Sequence, residues 1–141
     1  MNVTVVSNEQ EFEDALKVRR IVFINEQQVP EEEEIDQYEN ECTHVIMYDT
    51  EKQPIATGRL RDVDGIGKME RICVLDSHRG LGLGKNIMDR LEVIAKEKGY
   101  HKLKLNAQTH AEGFYKKLGY QTISDVFLDA GIPHVTMVKE V

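Results

Sequence analysis

The 141-residue chain has no tryptophan, two cysteines and three prolines, and no apolar run approaches the roughly 18 residues of a membrane-crossing helix. Cys42 and Cys73 are too few and too far apart for a disulfide framework, which fits a reducing compartment. Met1–Val6 carries neither a basic stretch nor a long apolar one, so no secretion signal is read there and the cytoplasm is the expected location. Positive charge is also short: 18 Lys and Arg face 25 Asp and Glu, a net charge of −7. Nucleic acid is therefore not expected as a partner, because phosphate binding needs a basic footprint.

The deficit is local. Residues 31–41 contain Glu31, Glu32, Glu33, Glu34, Asp36, Glu39 and Glu41 with no Lys or Arg, and the other 18 acids balance the 18 bases. A neutral body thus carries one acidic segment. The rest of the composition, 40% hydrophobic and 30% charged, is that of an ordinary globular domain. At this length folding buries roughly 70% of the surface of the unfolded chain. With no repeat and no Pro/Gly/Ser linker, a single domain over residues 1–141 is expected.

Hydrophobic periodicity alternates between strand and helix. Residues 2–6 read as a short strand, and Ser7 with Gln10 as a capping box opening a helix to about residue 25, whose β-branched end invites a break. Strands follow at 43–48, 54–63 and about 66–74, the last two joined by the tight-turn pair Asp64-Gly65. A helix spans about 82–98, with Leu83, Ile87, Met88, Leu91, Ile94 and Ala95 at helical spacing, and Gly99 ends it. Residues 102–106 form a strand, and 109–118 a helix with Ala111, Phe114, Tyr115 and Leu118 on one stripe. Strands at 120–128 and 134–139 close the chain. The order β-α-β-β-β-α-β-α-β-β describes an α/β (α+β) sandwich around one mixed sheet.

The most informative segment runs from Arg71-Ile72-Cys73-Val74 to Arg79-Gly80-Leu81-Gly82-Leu83-Gly84. A strand feeds a glycine-rich turn that opens a helix, so unpaired N–H groups converge on an anion site, and Arg79 and Lys85 add positive charge. A Walker loop is excluded, because Arg79 stands at its first glycine and Asn86 at its hydroxyl position. The Rossmann fingerprint fails too: Gly80, Gly82 and Gly84 alternate, and an antiparallel meander precedes them.

The Arg79-x-x-Gly82-x-Gly84 pattern, with Leu105-Asn106-Ala107 and Phe114-Tyr115-Lys116-Lys117-Leu118-Gly119-Tyr120, resembles the GNAT acetyltransferase superfamily. Val18-Arg19-Arg20-Ile21-Val22-Phe23-Ile24-Asn25-Glu26-Gln27 and Asp129-Ala130-Gly131-Ile132-Pro133-His134 resemble its YjcF/ElaA-like branch. The first of these segments is also similar to acyl-homoserine-lactone synthases. The resemblance implies a mostly antiparallel sheet of six to seven strands flanked by helices. It implies acetyl-CoA as cosubstrate and an amine as acceptor, with no metal, nucleic acid or membrane partner, and leaves a homodimer open.

Carried over by position, Ile72, Cys73 and Val74 would offer backbone groups to the pantetheine arm. Arg79, Gly80, Leu81, Gly82, Leu83, Gly84 and Lys85 would surround the pyrophosphate. Asn106 would meet the cofactor where two strands part, and Tyr115 would lie near the sulfur. A phenol with an ordinary pKa of about 10 can donate a proton to a departing thiolate, so Tyr115 is the candidate acid; the alternative is a core position. Glu70 is the first candidate base, since alternation places it on the same strand face as Ile72 and Val74, with Arg71 opposite; the alternative is a surface or salt-bridged glutamate beside Arg71. His110 and His134 are the second choice, and Glu26 is a candidate for the acceptor side. No metal site is expected: His110-Ala111-Glu112 lacks a following Pro-Cys-x-x-Cys, and no His-Glu-x-x-His occurs.

The activity implied is transfer of acetyl directly to a small-molecule amine. A protein acetyltransferase, a non-catalytic acyl-CoA-binding module and a lactone synthase stay open. Residues 31–41 fall where acceptor-side loops occur in that family, so their carboxylates are expected either to gather cationic amines near the thioester or to form a solvated loop.

Overall fold

In the computed structural model, which describes residues 2–141, β1 (Val3–Val5) leads into α1 (Glu9–Arg19) and a π-helical turn (Arg20–Glu26). The acidic segment follows as α2 (Glu31–Glu34) and a 3₁₀ turn (Glu39–Glu41). Then come β2 (Thr43–Tyr48), β3 (Pro54–Val63), β4 (Ile66–Val74), α3 (Leu83–Glu97), β5 (Lys102–Gln108), α4 (Glu112–Lys117), β6 (Gln121–Thr122), β7 (Phe127–Asp129) and β8 (Ile132–Glu140). The sheet order is β1-β2-β3-β4-β5-β8-β6, with β7 also on β8. All pairs are antiparallel except β4 and β5.

Helix α1 starts one residue later than the expected capping box. Asn8 is the N-cap, its Oδ1 accepting the Glu11 N–H at 2.8 Å, while the Glu11 carboxylate accepts the Ser7 N–H at 2.8 Å. The expected division near its end is present as a change of helix type at Arg20. The backbone stays helical through Arg20 but widens to i→i−5 bonding, as in Gln27 N–H to the Val22 carbonyl at 3.1 Å. That turn buries Val22 and carries Glu26 and Gln27 beyond the end of α1.

Helix α3 covers one face of the sheet. Its Ile87, Met88, Leu91 and Ala95 pack with Met69, Leu103, Leu105 and Met137 in the main core. Helix α1 covers the other face, where Val18 and Val22 pack on Cys73. The expected strand 120–128 splits, giving eight strands instead of six or seven. Thr122 pairs Met137 and Phe127 pairs His134, so two extra residues bulge out between them. The Ser124 hydroxyl accepts the Thr136 N–H at 2.8 Å, taking the place of a strand carbonyl.

Simple alternation also fails on β4. Arg59 faces Glu70 and Thr57 faces Cys73, so three steps on β4 match two on β3. Arg71 absorbs the extra residue at φ 59°. Beyond this bulge Ile72 and Val74 point toward α3, whereas Glu70 and Arg71 face the acidic segment. The expected grouping of Glu70 with Ile72 and Val74 is therefore overturned.

Ile72 occupies the space beside Gly58: a Cβ there would lie 2.7 Å from Ile72 Cδ1 and 2.8 Å from Ile87 Cγ2. Gly58→Ala is expected to destabilise the fold by about 1–3 kcal/mol through overpacking. A lowered denaturant midpoint at unchanged m-value is the expected readout.

Candidate active site

Strands β4 and β5 pair only at Gly67–Leu103, Lys68–Lys104 and Met69–Leu105. Beyond these residues β4 stays with β3, β5 stays with β8, and the two strands part. The gap opens into a cavity of about 660 Å³. Ile72, Cys73 and Val74 line its β4 side, and Asn106 and Gln108 its β5 side. The Asn106 amide is held by the Thr136 hydroxyl, which donates to Oδ1 at 2.9 Å.

Past β4 the chain turns through Gly80 and Gly82, both with positive φ (81° and 78°), a backbone conformation that side-chain-bearing residues rarely adopt. Gly82 caps α3, and the first helical bond runs from Asn86 N–H to the Gly82 carbonyl. The N–H groups of Leu83, Gly84 and Lys85 therefore have no acceptor within the helix, which makes this terminus an anion cradle. The Phe114 ring lies against Gly84, with Cζ 3.4 Å from where a Cβ would be.

The two cations expected to flank this cradle are both engaged. Arg79 grips the Glu26 carboxylate with Nη1 and Nη2 at 2.6 and 2.8 Å, and donates through Nε to the Val74 carbonyl at 3.0 Å. The Arg79 hydrogen bonds hold Glu26 below the usual carboxylate range. Lys85 pairs with Asp89 at 2.8 Å. Beside Glu26, Gln27 accepts from Gln108 at 2.8 Å, and Gln108 in turn bonds His110 Nε2 at 2.7 Å. The π-helical turn thus crosses from the loop after β4 to the end of β5, spanning the gap.

Tyr115 lines the cavity from α4, its ring edge-on to Phe114 and Tyr120 at 5.0 and 6.0 Å. Burial, with a smaller contribution from neighbouring Cys73, pushes the phenol well above its ordinary pKa, so it is protonated at neutral pH. Its hydroxyl makes no hydrogen bond among the described residues. Burial likewise pushes up the Cys73 thiol, which is therefore not a thiolate nucleophile. His134 Nδ1 donates to the Ile132 carbonyl at 2.7 Å and its ring stacks on Phe127. Its Nε2 keeps a free lone pair in the neutral ring. Phe114 departs from the expected core stripe and is 38% exposed.

A family model described as an acetyltransferase (GNAT) domain matches residues 7–141. This chain belongs to the GNAT acetyltransferase family. It is 52% identical to the uncharacterized N-acetyltransferase YjcF of Bacillus subtilis (strain 168) over 141 residues, covering 99% of this chain and all of that protein. The Escherichia coli ElaA crystal structure superposes with a TM-score of 0.88 at 22% identity, covering 99% of this chain and 100% of ElaA. A Bacillus subtilis acetyltransferase in complex with CoA superposes with a TM-score of 0.74 at 13% identity, covering 99% of this chain and 98% of that one. The chain is thus an N-acetyltransferase of the GNAT family.

Within this GNAT domain Glu70 does not present a free carboxylate. Arg59, Arg61 and Lys68 hold it at 2.9, 2.9 and 3.0 Å. Burial opposes its ionisation, but the Arg61 hydrogen bond and the charges of Arg59 and Lys68 outweigh it and pull the pKa down to about 2. The expectation of Glu70 as base is corrected on that ground.

The acidic segment is a solvated loop only in part, with Glu31, Glu32, Glu33 and Glu41 exposed. Glu34, Asp36 and Glu39 turn inward onto Arg19, Arg59 and Arg71. Arg19 and Arg59 are each only 1% exposed. Sequence reasoning missed these arginines, Lys68, and the Gln27–Gln108 bridge. The hairpin turn Asp64-Gly65 was a usable signal for part of it. Counting back from Val63 opposite Ile66 places Arg61 opposite Lys68 and Arg59 opposite Glu70.

Proposed function

We propose that this GNAT enzyme moves acetyl from acetyl-CoA directly to the amine of a small molecule. The observation that carries the reading is the gap between β4 and β5, flanked at one end by the α3 N–H cradle and lined by a protonated, buried tyrosine. The cradle and Arg79 fit a pyrophosphate, and the splayed edge of β4 leaves backbone groups for the pantetheine amides. Asn106 and the Ile72–Val74 backbone orient the thioester. Tyr115 donates its proton to the departing thiolate. The Nε2 of His134 and the His110 ring are the candidate acceptors for the amine proton, and Glu70 ties β3 to β4. A small acceptor is favoured over a peptide, because Arg59 draws Asp36 and Glu39 into the space beside Glu70.

Calorimetric titration with CoA, followed by thiol release across an amine library, tests the reading. Absence of CoA binding overturns it. Arg79→Ala is expected to weaken CoA binding by about tenfold or more through loss of charge-assisted hydrogen bonds. Glu26→Gln should act in the opposite sense. It removes the carboxylate that competes for Arg79, and an exposed pair is worth about 0–1 kcal/mol, so binding should tighten up to about fivefold. The same titration measures both.

A further inference from the structure

The buried ionic network beneath the acidic segment does not balance. Four carboxylates (Glu34, Asp36, Glu39 and Glu70) face five cations (Arg19, Arg59, Arg61, Lys68 and Arg71). His44, which packs on Glu39, adds no charge at neutral pH, since burial pushes it below its ordinary pKa. Cys42 stays a neutral thiol, pushed up by burial to about 11. The network therefore carries one surplus positive charge.

The partly exposed cations of this network lie at the cavity. Arg19 and Arg59 are sealed inside, whereas the Lys68 and Arg71 side chains are 18% and 23% exposed and line the cavity beside the β4 bulge. Arg71 donates through Nε to the Glu34 carbonyl at 3.3 Å, with the Glu34 carboxylate 3.0 Å away, and through Nη2 to the Glu33 carbonyl at 3.2 Å and Asp36 at 3.3 Å. Its Nη1 makes no hydrogen bond among the described residues. Among the described residues Lys68 has one partner, Glu70 Oε2. Lys104 is its register partner on β5 and lies on the same sheet face, since Leu103 and Leu105 enter the opposite core. Among the described residues Lys104 has no ion pair. Of the carboxylates lining the cavity, Glu26, Glu34 and Glu70 are all held by arginines. Glu33 and Asp129 have no cation partner among the described residues.

We propose that the acceptor amine also carries an anionic group, a carboxylate or a phosphate ester, which docks on Arg71 and Lys68. This rests on the transferase reading above and narrows its substrate. The free Nη1 of Arg71 and the singly paired Lys68 ammonium supply donors to the anion. Glu33 and Asp129 face the substrate's ammonium before it loses its proton. The inward carboxylates Glu34, Asp36 and Glu39 are already paired with arginines and are not free to attract a cationic amine.

The test compares amines that differ only in their second group: aminobutyrate, butylamine and diaminobutane, then phosphoethanolamine with ethanolamine, and amino acids with their amides. The anionic members are expected to show kcat/KM about tenfold or more above their counterparts. The carboxylate and phosphate pairs separate the two sources of the anion. Lys68→Met should bring that ratio toward one by raising KM for the anionic acceptor rather than lowering kcat, and Arg71→Gln should do the same if it folds. Equal or faster turnover of butylamine or diaminobutane overturns this inference and leaves the transferase reading standing. No thiol release with any member, in protein that binds CoA, overturns both.

Discussion

Tyr115→Phe is expected to lower kcat by about 10²–10⁴-fold, the range typical of a lost general acid. The fold should survive, because the hydroxyl makes no hydrogen bond within the described residues and the ring keeps its edge contacts with Phe114 and Tyr120. Thermal unfolding and CoA titration should therefore change little while thiol release collapses. The raised phenol pKa adds a second readout. The acid stays protonated above its ordinary range, so the wild-type rate should show no alkaline loss from this group between neutrality and about pH 10. A Phe variant with an undiminished rate would leave Tyr115 as a packing residue.

Arg59→Met is expected to be the most damaging single change to stability, at about 3–5 kcal/mol. Arg59 is 1% exposed and holds Asp36, Glu39 and Glu70 together. A side chain of similar volume without charge leaves three carboxylates in a low-dielectric site with too few partners. Urea denaturation measures the loss.

The same network sets the acid response. Burial opposes ionisation of Glu39 and Glu70, yet their arginine partners outweigh it and hold each pKa down at about 2. A depressed carboxylate pKa means that the stabilisation is fully present above the unfolded value near 4.5 and is lost as pH falls through about 2. Glu34 acts the other way, because burial pushes it up against the attraction of Arg71 and Arg19. Acid unfolding in the wild type should follow the Glu39 and Glu70 sense, and in Arg59→Met the midpoint should shift to higher pH.

Much of the candidate site was legible before folding. The glycine pattern at Gly80, Gly82 and Gly84 announced an N–H cradle, and the structure supplies one at the start of α3. Hydrophobic spacing marked α3 itself to within a residue or two, because one face meets the sheet and the other meets solvent. The turn pair Asp64-Gly65 fixed the β3–β4 register near the turn.

Legibility stopped at the bulge. Alternation is a local rule, and a positive φ at Arg71, which no sequence preference announces, reverses it between Glu70 and Ile72. The sequence offers Glu70 as a base or as a glutamate paired beside Arg71, whereas its partners are Lys68 on its own strand and Arg59 and Arg61 across the hairpin. The split of the expected strand 120–128 has the same origin, since a serine hydroxyl from a bulge satisfies a backbone group on β8.

The scarcity of positive charge and its concentration opposite residues 31–41 show the division most clearly. The sequence by itself determined a neutral body with one acidic segment, a strand–helix order, a glycine loop suited to an anion, and a family. It could not determine where the segment's charges point, because charge has no periodicity that reports a distant partner. Only the tertiary structure decided that Glu34, Asp36 and Glu39 fold inward onto Arg19, Arg59 and Arg71. The reason is electrostatic: buried guanidinium groups need carboxylates, and the nearest supply was this segment. What reads along the chain as the most acidic region supplies, through Glu34, Asp36 and Glu39, the carboxylates of a buried ion-pair network.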